Sequence, residues 1–131
     1  MKMGKHILVV DDDSALRTLF QALLESYGYS SDTAENGPKA LSKLAKASYD
    51  AVLLDYMMPG MTGLALLQHL QQRYPSLPVV MLTGHTHAQV AGQALAVGAR
   101  ACLYKPFNCQ QLKEVVNGLF RSAECEYVAS T

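Results

Sequence analysis

Polar residues of three chemical kinds stand directly after short apolar runs of this sequence. They are the carboxylates Asp11, Asp12, Asp13 and Asp55, the hydroxyl of Thr83 and the ammonium of Lys105. Carboxylates that lie close together repel, and each raises the pKa of the other unless a cation lies between them. Oxygen ligands of this kind favour a hard ion such as Mg²⁺. The residue types therefore indicate a metal site.

The same residues include the parts that phosphoryl transfer needs. A carboxylate can attack phosphorus and form an aspartyl phosphate. An ammonium and a hydroxyl can stabilise the charge that develops on the phosphoryl oxygens. Taken singly, each residue has a plainer explanation: Asp13 as a helix cap, Asp55 as a turn residue and Thr83 as a strand end. Their conjunction predicts metal-assisted phosphoryl transfer to an aspartate.

The apolar pattern predicts the elements that would bring these residues together. Apolar runs at 6–10, 51–54, 79–82 and 101–104 are typical of strands buried on both faces, and a weaker strand is predicted at 30–34. Between the strands, apolar residues recur at helical spacing. Five strands alternating with five helices predict an α/β fold with a doubly wound, five-stranded parallel sheet. Ligands of such a sheet bind beyond the carboxyl ends of its strands, where these polar residues stand.

The composition limits other classes of function. The chain has 131 residues, with 11 Lys and Arg against 11 Asp and Glu, and 50% of it is apolar. A balanced charge provides no general attraction to nucleic acid or to an anionic membrane, and the apolar content excludes disorder for most of the chain. No apolar run approaches the roughly 20 residues of a membrane span. We expect one domain at 1–121 and a tail at 122–131 that is too short for an output domain.

The cysteines and histidines show no pattern of a disulfide framework or a zinc site. Cys102, Cys109 and Cys125 are odd in number and lack CxxC spacing, and the four histidines are scattered. Free thiols without such a pattern are typical of a reducing compartment, so we expect a cytoplasmic location.

Four segments resemble the signature blocks of response-regulator receiver domains of two-component signal transduction. They are 8–13 (Leu-Val-Val-Asp-Asp-Asp), 54–63 (Leu-Asp-Tyr-Met-Met-Pro-Gly-Met-Thr-Gly), 82–84 (Leu-Thr-Gly) and 105–107 (Lys-Pro-Phe). Their order and spacing make the resemblance specific, and it covers about residues 5–121. The resemblance implies the flavodoxin-like fold of the chemotaxis regulators, with strand order 2-1-3-4-5.

The resemblance also implies how the predicted metal is held. Asp12 would bind Mg²⁺ directly, and Asp11 would bind it through a water molecule. Asp55 and the backbone carbonyl of Met57 would complete the protein ligands. Mg²⁺ is therefore the expected cofactor.

For the phosphoryl group, the resemblance implies that Asp55 is the acceptor. Thr83 would donate a hydrogen bond to a phosphoryl oxygen, and Lys105 would pair with the phosphoryl charge. The implied donor is a sensor histidine kinase or a histidine phosphotransfer protein. The domain would catalyse only its own phosphorylation and dephosphorylation, so it is not expected to be an enzyme with a separate substrate.

The implied output of such a domain is contact with another protein. The face built by the fourth helix, fifth strand and fifth helix would bind a downstream protein, and phosphorylation would favour a homodimer. We expect no direct contact between this chain and nucleic acid or a membrane.

One position departs from the pattern that receivers follow. They usually carry Phe or Tyr three residues before the motif lysine, and here that residue is Cys102. We expect the aromatic switch to be absent or relocated to Tyr104, which we assign to the opposite face of the strand from Cys102. Cys102 itself is interpreted as an ordinary small strand residue.

Two further positions would flank the phosphoryl group, Met57 and His85. Neither is a carboxylate or an amide that would orient an attacking water. We hypothesise that shielding sets the lifetime of the aspartyl phosphate. The alternative is that His85 acts as a base, since an unperturbed histidine titrates near neutral pH.

Three other functions compete with a phosphorylation switch. A phosphohydrolase with an aspartate nucleophile would carry a second acid two residues later, where this chain has Met57. A flavodoxin-like cofactor binder would need a donor-rich loop after the first strand, and three aspartates there would repel phosphate. A degenerate receiver that serves only as a docking module stays open because of Cys102.

Overall fold

The computed structural model describes residues 5–84, 88–120 and 127–129 of the chain. The strands are β1 (His6–Val10), β2 (Ser30–Ala34), β3 (Ala51–Asp55), β4 (Val79–Gly84), β5 (Ala101–Lys105) and β6 (Tyr127–Ala129). The helices are α1 (Ser14–Ser26), α2 (Gly37–Lys46), α3 (Gly63–Arg73), α4 (Ala88–Val97) and α5 (Cys109–Leu119). Over these residues, no helix has the length and apolar character that crossing a bilayer requires.

All strand pairs in the sheet are parallel, and the strand order is β2-β1-β3-β4-β5-β6. The predicted α/β class and the order 2-1-3-4-5 are confirmed over five strands. The sixth strand was not predicted, because three residues are too few to show the period of two that marks a strand. It pairs with the outer edge of β5, where Cys102 is in register with Val128.

Helices cover both faces of the sheet, as the continuous apolar runs predict. One core layer, which includes Leu54 and Met81, packs against α2, α3 and α4. The other layer, which includes Leu53 and Leu82, packs against α1 and α5. Neighbouring residues of β3 and β4 therefore alternate between the two layers. Because both faces are covered, polar side chains are confined to the ends of these central strands.

Short polar side chains begin the helices at the carboxyl edge of the sheet. Asp13 caps α1 by accepting hydrogen bonds from the amides of Ala15 at 2.9 Å and Leu16 at 3.2 Å. Thr62 caps α3 in the same way. The plainer explanation of Asp13 is thereby confirmed, because a side chain in this position satisfies free amides of the first helical turn.

The polar strand β2 is held to β1 by a side-chain cluster away from that edge. His6 contacts Ser30 through Nδ1 at 2.6 Å and Asp32 through Nε2 at 2.9 Å. Tyr49 donates to the Asp32 carboxylate at 2.7 Å, and its ring stacks on His6 with centroids 5.0 Å apart. The hydrogen bonds from His6 and Tyr49 lower the pKa of Asp32. The cluster thus supports a strand whose own sequence has little apolar signal.

Candidate functional site

The carboxyl ends of four strands lie at one edge of the sheet, and each carries a predicted site residue. Asp11 and Asp12 follow β1, Asp55 ends β3, Thr83 lies in β4 and Lys105 ends β5. Asp11, Asp12 and Asp55 each offer a carboxylate oxygen, and these oxygens all lie within 4.8 Å of one another. The structure therefore brings Asp55 next to Asp11 and Asp12, two neighbouring acids that are far from it in the sequence.

Lys105 places its positive charge against two of these acids. Its Nζ lies 2.8 Å from Asp55 Oδ1 and 3.8 Å from Asp11 Oδ2. The peptide bond between Lys105 and Pro106 is cis. Asp55 is buried, whereas Asp12 is exposed, so the pocket has a buried floor and an acid at its mouth.

Burial is the largest cause of the raised pKa of Asp11. The charges of Asp55 and Asp12 raise it further. A hydrogen bond from the Asp13 amide to Asp11 Oδ1, at 2.9 Å, and the charge of Lys105 oppose the rise. Ionisation of Asp11 therefore costs more in this fold than in water, and a bound cation would offset that cost.

The pKa of Asp55 is raised as well, again chiefly by burial. The hydrogen bond and charge of Lys105 lower it, the charge of Asp12 raises it, and a hydrogen bond from the Met57 amide lowers it. Asp55 must lose its proton to act as a nucleophile. Lys105 favours that ionised form.

Two buried side-chain oxygens at this edge have no hydrogen-bond partner among the described residues. They are Asp11 Oδ2 and Thr83 Oγ1. A buried polar atom without a partner costs about 1–3 kcal/mol. A carboxylate oxygen is satisfied by a cation, and a hydroxyl is satisfied by an acceptor such as a phosphoryl oxygen. These two oxygens without a hydrogen bond fit a metal ion at Asp11 and a phosphoryl group at Thr83.

Arg17 is a residue that the sequence analysis did not single out. Its Nη1 donates a hydrogen bond of 2.7 Å to the backbone carbonyl of Asp11, and so fixes the turn that carries the acids. With Asp12, Glu35, Asn36 and Pro59 it lines a cleft of about 210 Å³ beside the site. The sequence held no specific signal for this contact, because no local pattern shows that a side chain of α1 reaches back to the carbonyl of Asp11.

Gly63, the first residue of α3, packs directly behind the phosphoacceptor candidate. Its amide donates to the carbonyl of Tyr56 at 2.9 Å. A Cβ at this position would collide with the Asp55 carbonyl oxygen and lie 2.8 Å from Tyr56 Cα. Both neighbours are backbone atoms, which cannot rotate away. Only glycine lets α3 approach β3 this closely.

We therefore expect Gly63→Ala to lower the free energy of unfolding by about 1–3 kcal/mol. Gly92→Ala is the matched control, because a Cβ there meets no atom within 4 Å and Gly92 lies inside α4. That substitution should be neutral or stabilising, since alanine favours helix. Urea unfolding of both variants measures the difference, and equal stabilities would show that the backbone contact has no cost.

Comparison with known proteins decides the family of this chain. The family model described as the response regulator receiver domain matches residues 7–117. The chain belongs to the receiver domain family. The matched range includes all the predicted site residues, from Asp11 to Lys105.

The receiver resembles part of longer regulators. It is 41% identical over 110 residues to the DNA-binding transcriptional regulator NtrC of Escherichia coli, covering 84% of this chain and 24% of NtrC. It is 33% identical over 119 residues to the transcriptional regulatory protein FixJ of Bradyrhizobium diazoefficiens, covering 91% of this chain and 58% of FixJ. The chain thus spans less than two thirds of either relative.

Solved receiver structures are similar over most of the chain. The receiver domain of NtrX from Brucella abortus has a TM-score of 0.85 and 34% identity, with 88% of this chain and 98% of that one covered. The chemotaxis protein CheY4 from Vibrio cholerae has a TM-score of 0.83 and 33% identity, with 88% and 98% covered. These likenesses agree with the parallel sheet described above.

The structure corrects one expectation about the receiver's switch position. We assigned Tyr104 to the opposite strand face from Cys102, and this is wrong. Residues two apart on a strand point to the same side, and both pack in the core layer that faces α2, α3 and α4. Cys102 is fully buried, with Sγ 3.8 Å from the carbonyl of Ala91, and burial raises its pKa to about 11. Cys102 is therefore a neutral packing residue.

Of the two positions expected to flank the phosphoryl group, the structure describes Met57 but not His85. Met57 is 57% exposed, one of two large apolar side chains that are exposed in the described part of the receiver. Its amide contacts Asp55, so its side chain extends from the loop beside the acceptor. His85 lies outside the described residues.

Proposed function

We propose that this receiver is a phosphorylation-switched signalling domain that accepts a phosphoryl group onto Asp55. One observation carries the proposal: Lys105 Nζ lies 2.8 Å from Asp55 Oδ1, inside a pocket whose three acids offer oxygens within 4.8 Å of one another. A buried nucleophile, a cation beside it and a cluster of oxygen ligands are the parts of metal-assisted phosphoryl transfer.

The acids of the pocket suit Mg²⁺. Asp11 and Asp12 would hold the ion together with Asp55 and the backbone carbonyl of Met57. When bound, Mg²⁺ would neutralise the acids and polarise the phosphoryl oxygens. A cluster of three carboxylates favours a hard ion over zinc or copper. Asp11 Oδ2 accepts no hydrogen bond from the described residues, and Lys105 Nζ lies 3.8 Å from it. This oxygen supports the assignment, because a metal ion would satisfy it.

The transfer itself uses residues of this chain. A carboxylate oxygen of Asp55 attacks the phosphorus of a phosphohistidine, and the phosphorus–nitrogen bond breaks. The electron pair of that bond stays on the imidazole nitrogen, which takes up a proton. Lys105 stabilises the charge on the phosphoryl oxygens, and the Thr83 hydroxyl donates to one of them. The protein supplies positioning and charge rather than a second substrate site.

The donor would be a sensor histidine kinase or a histidine phosphotransfer protein in the cytoplasm. The face formed by α4, β5 and α5 would bind a downstream protein or a second phosphorylated copy. Nucleic acid and membrane are not proposed as direct partners of this chain, because its charges balance at 11 of each sign.

The competing functions lack supporting features. A phosphohydrolase needs an acid–base group two residues after its nucleophile, and Met57 has none. A docking module without phosphorylation would have no need to bury Asp11 and Asp55 beside each other at a cost in stability. We therefore propose that the chain catalyses its own phosphorylation and dephosphorylation only.

The experiment is mass spectrometry after incubation with acetyl phosphate or phosphoramidate, each with and without Mg²⁺. Phosphoramidate has a phosphorus–nitrogen bond like that of phosphohistidine. We expect a Mg²⁺-dependent gain of one phosphoryl group that Asp55→Asn abolishes and Asp50→Asn retains. Absence of any gain at Asp55 would favour the docking module.

The lifetime of the aspartyl phosphate tests whether Met57 shields it. We expect Met57→Asn to speed the loss of the phosphoryl group on the order of tenfold, because an amide can orient the attacking water. His85→Ala should leave the rate nearly unchanged if shielding dominates. The decay of phosphorylated protein after removal of the donor gives both rates. A large slowing in His85→Ala would show instead that His85 acts as a base.

A further inference from the structure

A serine, a histidine and an aspartate form a row of hydrogen bonds at the amino ends of β1 and β2, away from the phosphoacceptor candidate. His6 begins β1 and is in register with Ser30, which begins β2. The His6 ring contacts the Ser30 hydroxyl through Nδ1 at 2.6 Å and the Asp32 carboxylate through Nε2 at 2.9 Å. This order of hydroxyl, imidazole and carboxylate is one that activates a serine as a nucleophile.

The surroundings of Asp32 set the direction of these hydrogen bonds. Hydrogen bonds from His6 and Tyr49 lower the pKa of Asp32, so its carboxylate is ionised and can only accept. His6 Nε2 therefore carries the hydrogen that it donates to Asp32. In the neutral ring, Nδ1 then has the lone pair that accepts from Ser30 Oγ. The other contact of this hydroxyl, with the carbonyl of Lys5, is longer at 3.3 Å. His6 is thus oriented to take the proton of Ser30.

The backbone after Ser30 provides a donor for the charge that a nucleophilic attack creates. Strand β2 lies at one edge of the sheet, and the Ser30 amide donates to the carbonyl of Lys5 at 3.2 Å. Amides of successive strand residues point in opposite directions, so the Ser31 amide points away from β1. Gln21 donates to the Ser31 carbonyl on that outer side at 3.3 Å. The amide after a nucleophile is a recurrent oxyanion donor.

The edge of β2 is open to a small molecule. Ser30 is exposed, and it lines a cleft of about 640 Å³ together with residues of α1 and of the turn before β2. The lining residues are Gln21, Glu25, Gly28, Tyr29, Ser30 and Ser31. Because Gln21 and Ser31 both belong to it, the cleft lies along the edge toward which the Ser31 amide points. A volume of this size accommodates a small organic ligand.

We propose that Ser30 is a second nucleophile of this protein and that it takes up the acyl group of small aryl esters. Ser30 Oγ attacks the carbonyl carbon of the ester while its proton passes to His6 Nδ1. The Ser31 amide donates to the oxyanion that forms. The bond from the carbonyl carbon to the leaving oxygen then breaks, and the leaving group takes the proton from His6. An open site with one amide donor gives modest stabilisation, so the ester needs a good leaving group such as a phenolate.

The first test is acetylation of the full chain by p-nitrophenyl acetate, followed residue by residue with tandem mass spectrometry. Ser48 is the internal control, because it is an exposed serine of the loop before β3 and lies outside the row of hydrogen bonds. We expect Ser30 to be acetylated about tenfold or more faster than Ser48, and His6→Gln to abolish that difference. Equal rates at Ser30 and Ser48 in the unmodified chain would overturn the proposal.

A pair of variants at Ser31 tests the oxyanion donor without touching His6. Ser31→Pro removes the amide hydrogen, and proline is tolerated on an edge strand where its nitrogen faces away from the ladder. Ser31→Ala is the matched control, because it removes the side chain and keeps the amide. We expect acetylation of Ser30 to fall about tenfold or more in Ser31→Pro and to stay within about twofold in Ser31→Ala. Equal rates in these two variants would refute attack at this edge.

Asp32 acts through His6, so it is a positioning residue, and the hydrogen of the His6 ring is its readout. Nitrogen NMR shows which ring nitrogen carries the hydrogen. We expect Asp32→Asn to shift the hydrogen from Nε2 toward Nδ1 and to slow acetylation of Ser30 but not of Ser48. Fast acetylation despite that shift would contradict the proposed proton transfer. The Mg²⁺-dependent mass gain at Asp55 uses none of these residues and should be the same in every variant, so failure of either proposal leaves the other standing.

Discussion

Replacement of Lys105 by methionine is expected to slow the phosphorylation of Asp55 by about 100-fold or more. The Lys105 ammonium lies 2.8 Å from Asp55 Oδ1, so it stands where charge develops on the incoming phosphoryl group. Methionine keeps a similar length and removes only the charge and the donors. The rate of mass gain with acetyl phosphate, at a fixed Mg²⁺ concentration, measures the effect.

The matched control is Lys46→Met. Lys46 is an exposed lysine in the last turn of α2, so the same substitution there removes a charge away from the site. It should leave the rate within a factor of about two, because exposed charges are strongly screened. A rate in Lys105→Met equal to that of Lys46→Met would show that the charge next to Asp55 has no part in the transfer.

The second large effect is that Asp11→Asn stabilises the protein without metal but makes it less stable than the unmodified chain in Mg²⁺. Asp11→Asn is expected to raise the melting temperature of the metal-free protein by about 3–6 °C, the scale of 1 kcal/mol in a domain of this size. The substitution removes a buried negative charge that faces Asp55, and an asparagine can still accept the 2.9 Å hydrogen bond from the Asp13 amide. In Mg²⁺ the order should reverse. A 100-fold excess of Mg²⁺ over its Kd stabilises a binding-competent protein by about 2.7 kcal/mol, which the variant loses.

The pH dependence of the free energy of unfolding has the same origin, the burial of Asp11 and Asp55. The folded-state pKa of Asp11 and of Asp55 is raised, chiefly by burial, so the folded protein binds protons more tightly than the unfolded chain does. The two carboxyl groups stabilise the folded protein most below the ordinary carboxyl pKa of about 4. This stabilisation is lost as the pH rises through their raised folded-state pKa values. The metal-free advantage of Asp11→Asn should therefore grow as the pH rises toward neutrality.

Thermal unfolding over a series of pH values, in chelator and in Mg²⁺, measures these differences. Glu114→Gln is the control, since it removes an exposed carboxylate of α5. It should alter neither the metal-free stability nor the gain in Mg²⁺. If Asp11→Asn is less stable than the unmodified chain in chelator, burial of the Asp11 charge beside Asp55 does not destabilise the metal-free protein.

The edge on which the site lies could be predicted from the sequence. Each polar residue follows an apolar run directly, and parallel strands share their carboxyl ends, so Asp55 and Lys105 had to meet there. The weak strand at 30–34 was also predicted with the observed bounds of β2. Its supporting contacts were not predicted, because His6, Asp32 and Tyr49 meet only after strand pairing and a loop bring them together.

The sequence by itself determined which residues form the site, since their types and their places after the strands follow from local pattern. Only the tertiary structure determined how deeply these residues are buried and in which direction their pKa values shift. The raised pKa of Asp11 depends on burial and on charges from other strands, which no local pattern encodes. The placement of Tyr104 beside Thr83 likewise depends on the register between β4 and β5. Long-range packing sets both properties, and packing is specified by the whole chain at once.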